Sequence, residues 1–178
     1  VEQIRLSPAG AAGGVAVTLG KLGAEVHSAG AVGRDRIGDV LIAELERFDA
    51  GAVVHTHSAV ATALSCVIEE LPPVHYQMLA FGGSVRVAPY ATFGSRELAE
   101  NVHFALEGRS AALMQNHGAV CFASDCGAAT ELALLLEWAC DVYWRASLVG
   151  DPRVLSEQEL EGVVTAVTER GYGQAQTR

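Results

Sequence analysis

Two histidines one residue apart, His55 and His57, end an apolar run in the sequence AVVHTHSAV (residues 52–60). Alternate side chains of a β-strand point to the same face, so a strand through both residues would set the two imidazoles side by side. His117, beside Gly118, lies in a predicted turn between two strand-like runs and offers a third imidazole. Three neutral imidazoles suit zinc and leave one coordination position for a substrate oxygen. Because such pairs also arise by chance in ordinary strands, the spacing alone leaves a metal site and two unrelated histidines both open.

A metal held by these residues would determine the kind of reaction. A Lewis acid on a carbonyl and its neighbouring hydroxyl stabilises the enediolate that forms when the adjacent C–C bond breaks. The alkoxide formed when the bond is made also needs a proton donor, which takes the proton back when the bond breaks, and Tyr76 is a candidate if it reaches this site or that of a neighbouring subunit. The remaining histidines are more simply interpreted as packing or solvent-facing residues: His27, His75 and His103.

The pattern of apolar residues predicts an α/β domain with a central sheet flanked by helices. Residues 1–50 are predicted to form a helix, a strand and a second helix. After them we predict a strand into His55, a helix from Ala59 to about Val67 and a short helix after the break at Leu71-Pro72-Pro73. A helix capped by Ser95 and two strands around residues 116–118 follow. The chain then forms a long helix capped by Asp125 and a last helix that begins with the capping box Ser156-x-x-Glu159.

Composition narrows the classes of function. The chain has 178 residues, half of them apolar, and a net charge of −9. No cluster of Lys or Arg is longer than a pair, which argues against a nucleic-acid or anionic membrane surface. Val1 opens no signal pattern and no apolar run is long enough to span a membrane, so a cytoplasmic location is expected. The four cysteines have apolar neighbours and no CxxC spacing, which favours reduced thiols in the core: Cys66, Cys121, Cys126 and Cys140.

The stretch from Ala52 to about Tyr172 resembles the class II aldolase/adducin family, and most closely its fuculose-phosphate aldolases. Three segments carry the resemblance in the family's order and spacing: AVVHTHSAVATALS, LPPVHYQMLAFGGSVRVAPYATFGSRELAENV and ALMQNHGAV. The PPVHY segment is similar to that of the aldolases and differs from the Thr-His-Ala-Asp segment of the related epimerases. The resemblance therefore implies aldol cleavage rather than epimerisation.

The resemblance also assigns roles to individual residues. It implies that His55, His57 and His117 are zinc ligands and that Tyr76 donates a proton to the site of an adjacent subunit. It places Phe93 and the C-terminal Tyr172 at substrate-facing aromatic positions. The implied substrate is a sugar phosphate similar to L-fuculose 1-phosphate, cleaved to dihydroxyacetone phosphate and an aldehyde. The implied assembly is a homo-oligomer, a tetramer in the family.

Residues 1–50 follow a different pattern, so we expect two regions, 1–50 and 51–178. The first resembles the N-terminal part of ribokinase-like sugar kinases in its Gly-rich helix start and the turn GAVGRDRIG. The kinase's anion hole and catalytic aspartate are missing downstream, which argues against phosphotransfer. An alternative alignment sets GAAGGVAV in place of the aldolase's phosphate loop, but at too short a distance from His55. Residues 10–14 could cradle a phosphate or simply allow close helix packing.

The sequence thus predicts an aldolase-like domain without the family's usual N-terminal part, which supplies the phosphate loops and the glutamate that acts as base. No residue is assigned to the phosphate site, and Glu69 and Glu70 come after the histidine pair rather than before it. Two functions are compatible with this pattern. One is a zinc-dependent class II aldolase, and the other is a chimeric or relic protein that binds zinc without catalysing the reaction.

Overall fold

A computed structural model describes residues 52–170 of the chain as a five-stranded sheet covered by helices on both faces. The strands are β1 (Ala52–Thr56), β2 (Glu70–Leu71), β3 (Val85–Ala88), β4 (Ala111–Met114) and β5 (Gly118–Ala123). The helices are α1 (Ala59–Ser65), α2 (Arg96–Leu106), α3 (Cys126–Val149) and α4 (Glu157–Arg170), with a 3₁₀ helix at Tyr76–Phe81.

The order of strands in the sheet is β1-β5-β4-β3-β2. β5 lies antiparallel to both β1 and β4, whereas β3 and β4 are parallel and are joined through α2. In this register His55 of β1 lies opposite Val120 of β5, and Met114 lies opposite Gly118 across the β4–β5 turn. The pairing therefore brings the end of β1 next to the turn that carries His117.

Alternation along β4 divides the core between the two faces of the sheet. Ala111 and Leu113 join one apolar cluster with residues of α1 and α3, while Ala112 and Met114 join a second cluster with residues of α2. All four β4 residues are buried, as expected for a strand covered on both faces. The result is a three-layer domain with α1 and α3 on one face and α2 on the other.

Three predicted helix starts are confirmed by their capping hydrogen bonds. The side chain of Ser95 accepts from the N–H of Leu98 at 3.1 Å, and that of Asp125 accepts from the N–H of Ala128 at 2.9 Å. At α4 the capping box is complete, because the backbone N–H of Ser156 donates to Glu159 Oε2 at 2.8 Å and the N–H of Glu159 donates to Ser156 Oγ at 3.3 Å. Local sequence is sufficient to set these boundaries because each cap satisfies N–H groups within its own first turn.

The Ser95 cap gives a prediction about stability. Ser95→Ala is expected to lower the free energy of unfolding by about 1 kcal/mol, because the N–H of Leu98 loses its acceptor at the start of α2. Urea denaturation of the two proteins measures the difference. Ser95→Asn restores an acceptor at the N-cap and is the control, so an equal loss in both variants would contradict the capping role.

Two expectations were wrong in detail. The strand through both histidines ends at Thr56, so His57 lies on the connection between β1 and α1 rather than in the strand. Of the four cysteines, Cys121 and Cys140 are buried, but Cys66 and Cys126 are exposed; all four are free thiols. For the buried pair, desolvation raises the thiol pKa to about 12, which keeps them protonated.

The helix, strand and helix predicted within residues 1–50 lie outside the described residues. The boundary near residue 50 and the sugar-kinase-like character of that segment therefore stay predictions. Between residues 52 and 170, none of the helices combines the length and apolar character that a membrane span requires.

Candidate metal centre

The structure brings His55, His57 and His117 together at the end of the sheet. Their candidate ligand atoms all lie within 4.8 Å of one another. The ring centroids are 4.8 Å apart for His55 and His57, 5.0 Å for His55 and His117, and 5.1 Å for His57 and His117. Three imidazoles, one from the end of β1, one from the connection after it and one from the β4–β5 turn, thus surround a common point.

His55 is oriented by a hydrogen bond to the neighbouring strand. Its Nδ1 lies 2.9 Å from the carbonyl oxygen of Ala119, which can only accept, so Nδ1 carries the proton and donates. In the neutral ring this tautomer leaves the lone pair on Nε2, the atom that faces His57. A backbone acceptor behind a histidine is a common device for presenting the other nitrogen to a metal.

His57 and His55 approach each other closely through their Nε2 atoms, which are 3.0 Å apart. Two nitrogens bound to one zinc at about 2.0–2.1 Å with tetrahedral angles would be roughly 3.3 Å apart. The observed spacing is within a few tenths of an ångström of that value. The donor set, with nitrogen alone and three ligands, also fits a catalytic zinc site that keeps one open position.

His117 is placed by a tight turn between β4 and β5. The backbone N–H of His117 donates to the carbonyl oxygen of Met114 at 3.0 Å. Asn116 has a φ of 56°, in the left-handed region. Asparagine tolerates this conformation better than most residues with a side chain. The turn is also tied to β3, because the N–H of Gln115 donates to Ala88 O at 3.0 Å.

Two of the three imidazoles, His55 and His117, favour the neutral form. Desolvation lowers the pKa of His55, and the positive charges that His57 and His117 would carry lower it further, against the opposing effect of the Ala119 hydrogen bond. Desolvation also lowers the pKa of His117, with a smaller contribution from His57. Because only the neutral ring can bind a metal, both effects favour a ligand role at neutral pH.

No carboxylate or thiol joins the three imidazoles within residues 52–170. Glu69 and Glu70 are exposed, and a carboxylate oxygen of Glu70 accepts from Ser84 Oγ at 2.6 Å. The described part of the chain therefore supplies three nitrogen ligands and no adjacent base.

The predicted aromatic residues are not gathered at the imidazoles. Tyr76 is 51% exposed and its ring packs on His75, with centroids 4.5 Å apart. Phe93 is 81% exposed on the segment between β3 and α2. Among the described residues, no ring contact or hydrogen bond joins either of them to the three histidines. Tyr172 lies outside the described residues.

Two residues that support the site were missed by the sequence analysis. Gln115 lies two positions before His117, and its Oε1 accepts from the N–H of Tyr90 at 2.9 Å, which ties the turn to the segment that carries Phe93. Glu137 of α3 accepts from two backbone N–H groups at the start of α1. The position of Gln115 close to the candidate ligand His117 could have indicated its role. No feature of the sequence around Glu137 indicates that it contacts α1.

Comparison with known proteins decides the family. Residues 42–144 match the Class II Aldolase and Adducin N-terminal domain. The chain belongs to this family. Among structures, an L-fuculose 1-phosphate aldolase aligns with a TM-score of 0.69 and 33% identity, covering 80% of this chain and 67% of that one. The predicted class II aldolase fold is thereby confirmed.

The curated relatives of this class II aldolase family member are aldolases acting on several sugar phosphates. A 5-methylthioribulose-1-phosphate/5-deoxyribulose-1-phosphate aldolase of Rhodospirillum rubrum is 39% identical over 120 residues, which is 67% of this chain and 54% of that protein. L-fuculose phosphate aldolase of Escherichia coli is 42% identical over 120 residues, 66% of this chain and 56% of that protein. The chain thus spans little more than half the length of these relatives.

Proposed function

We propose that this chain carries the zinc centre of a class II aldolase-type lyase acting on a ketose 1-phosphate. The substrate class is that of L-fuculose 1-phosphate and 5-deoxyribulose 1-phosphate, and the products are dihydroxyacetone phosphate and an aldehyde. The observation that carries the proposal is the set of three converging imidazoles, with the lone pair of His55 directed by the Ala119 hydrogen bond. The named relatives support the choice of reaction.

In this proposal His55, His57 and His117 hold the zinc. When bound, the ion supplies a Lewis acid for the substrate carbonyl and the enediolate charge. Tyr76 gives its phenolic proton to the new alkoxide in the direction of aldol formation and takes it back in cleavage. Its exposure and its packing on His75 are compatible with service to the site of a neighbouring subunit.

The remaining assignments follow from the same proposal. Phe93 and Tyr172 would face the substrate, and a homo-oligomer, a tetramer by resemblance, would bring Tyr76 to a neighbouring site. Size-exclusion chromatography with light scattering measures the assembly. A monomer that cleaves substrate would contradict the proposal that Tyr76 acts at the site of a neighbouring subunit.

The proposed activity predicts that the zinc-loaded full chain releases dihydroxyacetone phosphate from fuculose 1-phosphate or 5-deoxyribulose 1-phosphate. NADH-coupled reduction of the product measures the rate. Tyr76→Phe is expected to keep its zinc and lose about 10²–10⁴-fold in kcat, the usual contribution of a general acid–base group. Metal-stripped protein is the control for background cleavage. Equal rates in Tyr76→Phe and the parent would show that Tyr76 is not the proton donor.

A second candidate is a zinc-binding protein without aldolase activity. One observation favours it: no carboxylate joins the three imidazoles within residues 52–170. One zinc per chain without release of dihydroxyacetone phosphate above the stripped control would select this candidate.

A further inference from the structure

A carboxylate from α3 caps the helix that follows His57. Glu137 accepts from the N–H of Val60 through Oε1 at 2.9 Å and from the N–H of Ala61 through Oε2 at 2.8 Å. Both donors belong to the first turn of α1, whose N–H groups have no partner inside the helix. Hydrogen bonds to an ionised acceptor at a helix N-terminus are among the stronger ones in proteins.

The residue in the usual capping position does not perform this role. Ser58 is the N-cap of α1 and has the extended backbone typical of that position, but its side chain makes no capping hydrogen bond. The cap instead comes from Glu137, 77 residues away from Val60 along the chain. The start of α1 is therefore fixed to α3 rather than by its own sequence.

His57 depends on this attachment more than the other two imidazoles do. It lies on the two-residue connection between β1, which ends at Thr56, and α1, which begins at Ala59. His55 has the Ala119 carbonyl behind it, and the His117 turn has its own hydrogen bond to Met114. The only hydrogen-bonding contact of the His57 ring within residues 52–170 is with His55 Nε2. Its direction is consequently set by how β1 and α1 are held relative to each other.

We infer that Glu137 is a positioning residue for His57, holding the start of α1 so that the His57 imidazole points at the other two. The inference rests on the proposed metal centre. Glu137 does not supply a base at the imidazoles, because both of its carboxylate oxygens are engaged by backbone N–H groups. Its action on the metal passes through the backbone between residues 57 and 61.

The test is Co²⁺ binding by the full chain, measured against a competing chelator and by the d–d absorption of the bound ion. Glu137→Gln keeps the size of the side chain but removes its charge and one acceptor. It is expected to bind Co²⁺ about 10–100-fold more weakly, the usual effect of losing an outer partner of a ligand, and to change the d–d spectrum. A purely stabilising cap would lower the melting temperature without moving the spectrum of the folded, loaded protein.

The matched control is Glu131→Gln on the same helix. Glu131 is exposed and makes no hydrogen bond or ion pair within residues 52–170, so this variant should bind Co²⁺ as the parent does. Parental affinity and spectrum in Glu137→Gln would overturn the inference while leaving the metal centre intact. A parent chain that binds no Co²⁺ would instead overturn the proposed function itself.

A second variant covers the case in which Glu137→Gln fails to fold. Glu137→Asp keeps the charge but is one methylene too short to reach both N–H groups, so its Co²⁺ affinity should lie between those of the parent and Glu137→Gln. Parental affinity in a folded Glu137→Asp would count against the inference. Loss of the fold in both variants, with Glu131→Gln folded, would also overturn it, since Glu137 would then determine the fold rather than the direction of His57.

Discussion

His57→Ala is expected to weaken zinc binding by more than about 100-fold, beyond what loss of an outer partner costs, because it removes one of three nitrogen ligands. The metal-free protein should change little in stability, by less than about 0.5 kcal/mol, since His57 is exposed and its ring contacts within residues 52–170 are with the other two imidazoles. The two expectations together separate a ligand from a residue needed for folding. Zinc content after stripping and reloading, with thermal unfolding of both forms, measures them.

The same experiment also compares how much bound zinc raises the free energy of unfolding of each protein. At a free zinc concentration of about 100 Kd the parent should gain roughly 2.7 kcal/mol, and the variant should gain almost none at that concentration. His103→Gln, which alters an imidazole on α2 away from the centre, controls for the loss of any histidine. Unchanged zinc content in His57→Ala would refute the assignment of the site.

Much of the fold could be predicted because its signals are local. Ser95, Asp125 and the Ser156–Glu159 box each mark a helix start through hydrogen bonds to residues at most three positions away. The alternation around β4 and β5 likewise marks two strands and the turn between them. The three histidines that the sequence pattern singled out lie together in the structure even though His57 is outside the strand. One residue beyond the strand end still faces the same side, and the role of the three as metal ligands stays a proposal.

The parts that could not be predicted depend on contacts between distant segments. In the sequence, Glu137 is one of several charged residues on a predicted helix. Only the packing of α1 against α3 shows that it caps the start of α1. Cys66 has apolar neighbours in sequence but is exposed, because neighbours along the chain do not decide which face of a helix end is covered. The sequence pattern shows which residues share a face of one helix or strand. The site depends on how different helices and strands pack against one another.

Gly118→Ala is expected to disturb both stability and metal binding, in contrast to His57→Ala. Gly118 begins β5 and is buried against the end of β1. A Cβ at this position would collide with the carbonyl oxygen of Thr56 and would lie 2.9 Å from Cδ2 of His57. The Thr56 carbonyl belongs to the paired backbone of β1, so it cannot yield without disturbing the strand pairing. We expect the free energy of unfolding to fall by about 1–3 kcal/mol, as for other overpacked sites, and zinc affinity to fall with it.

The control for Gly118→Ala is a glycine whose substitution should have the opposite sign. Gly162 lies within α4, and a Cβ there would meet nothing within 4 Å, so Gly162→Ala should stabilise the protein by about 0.8–1.0 kcal/mol through helix propensity. Urea denaturation and zinc titration of both variants complete the comparison. If Gly118→Ala were as stable as the parent and bound zinc equally well, the close approach of β5 to His57 would have no part in forming the centre. If Gly118→Ala does lower stability, combining it with His57→Ala isolates the clash with Thr56, because the His57 ring is then gone and only the backbone contact is left.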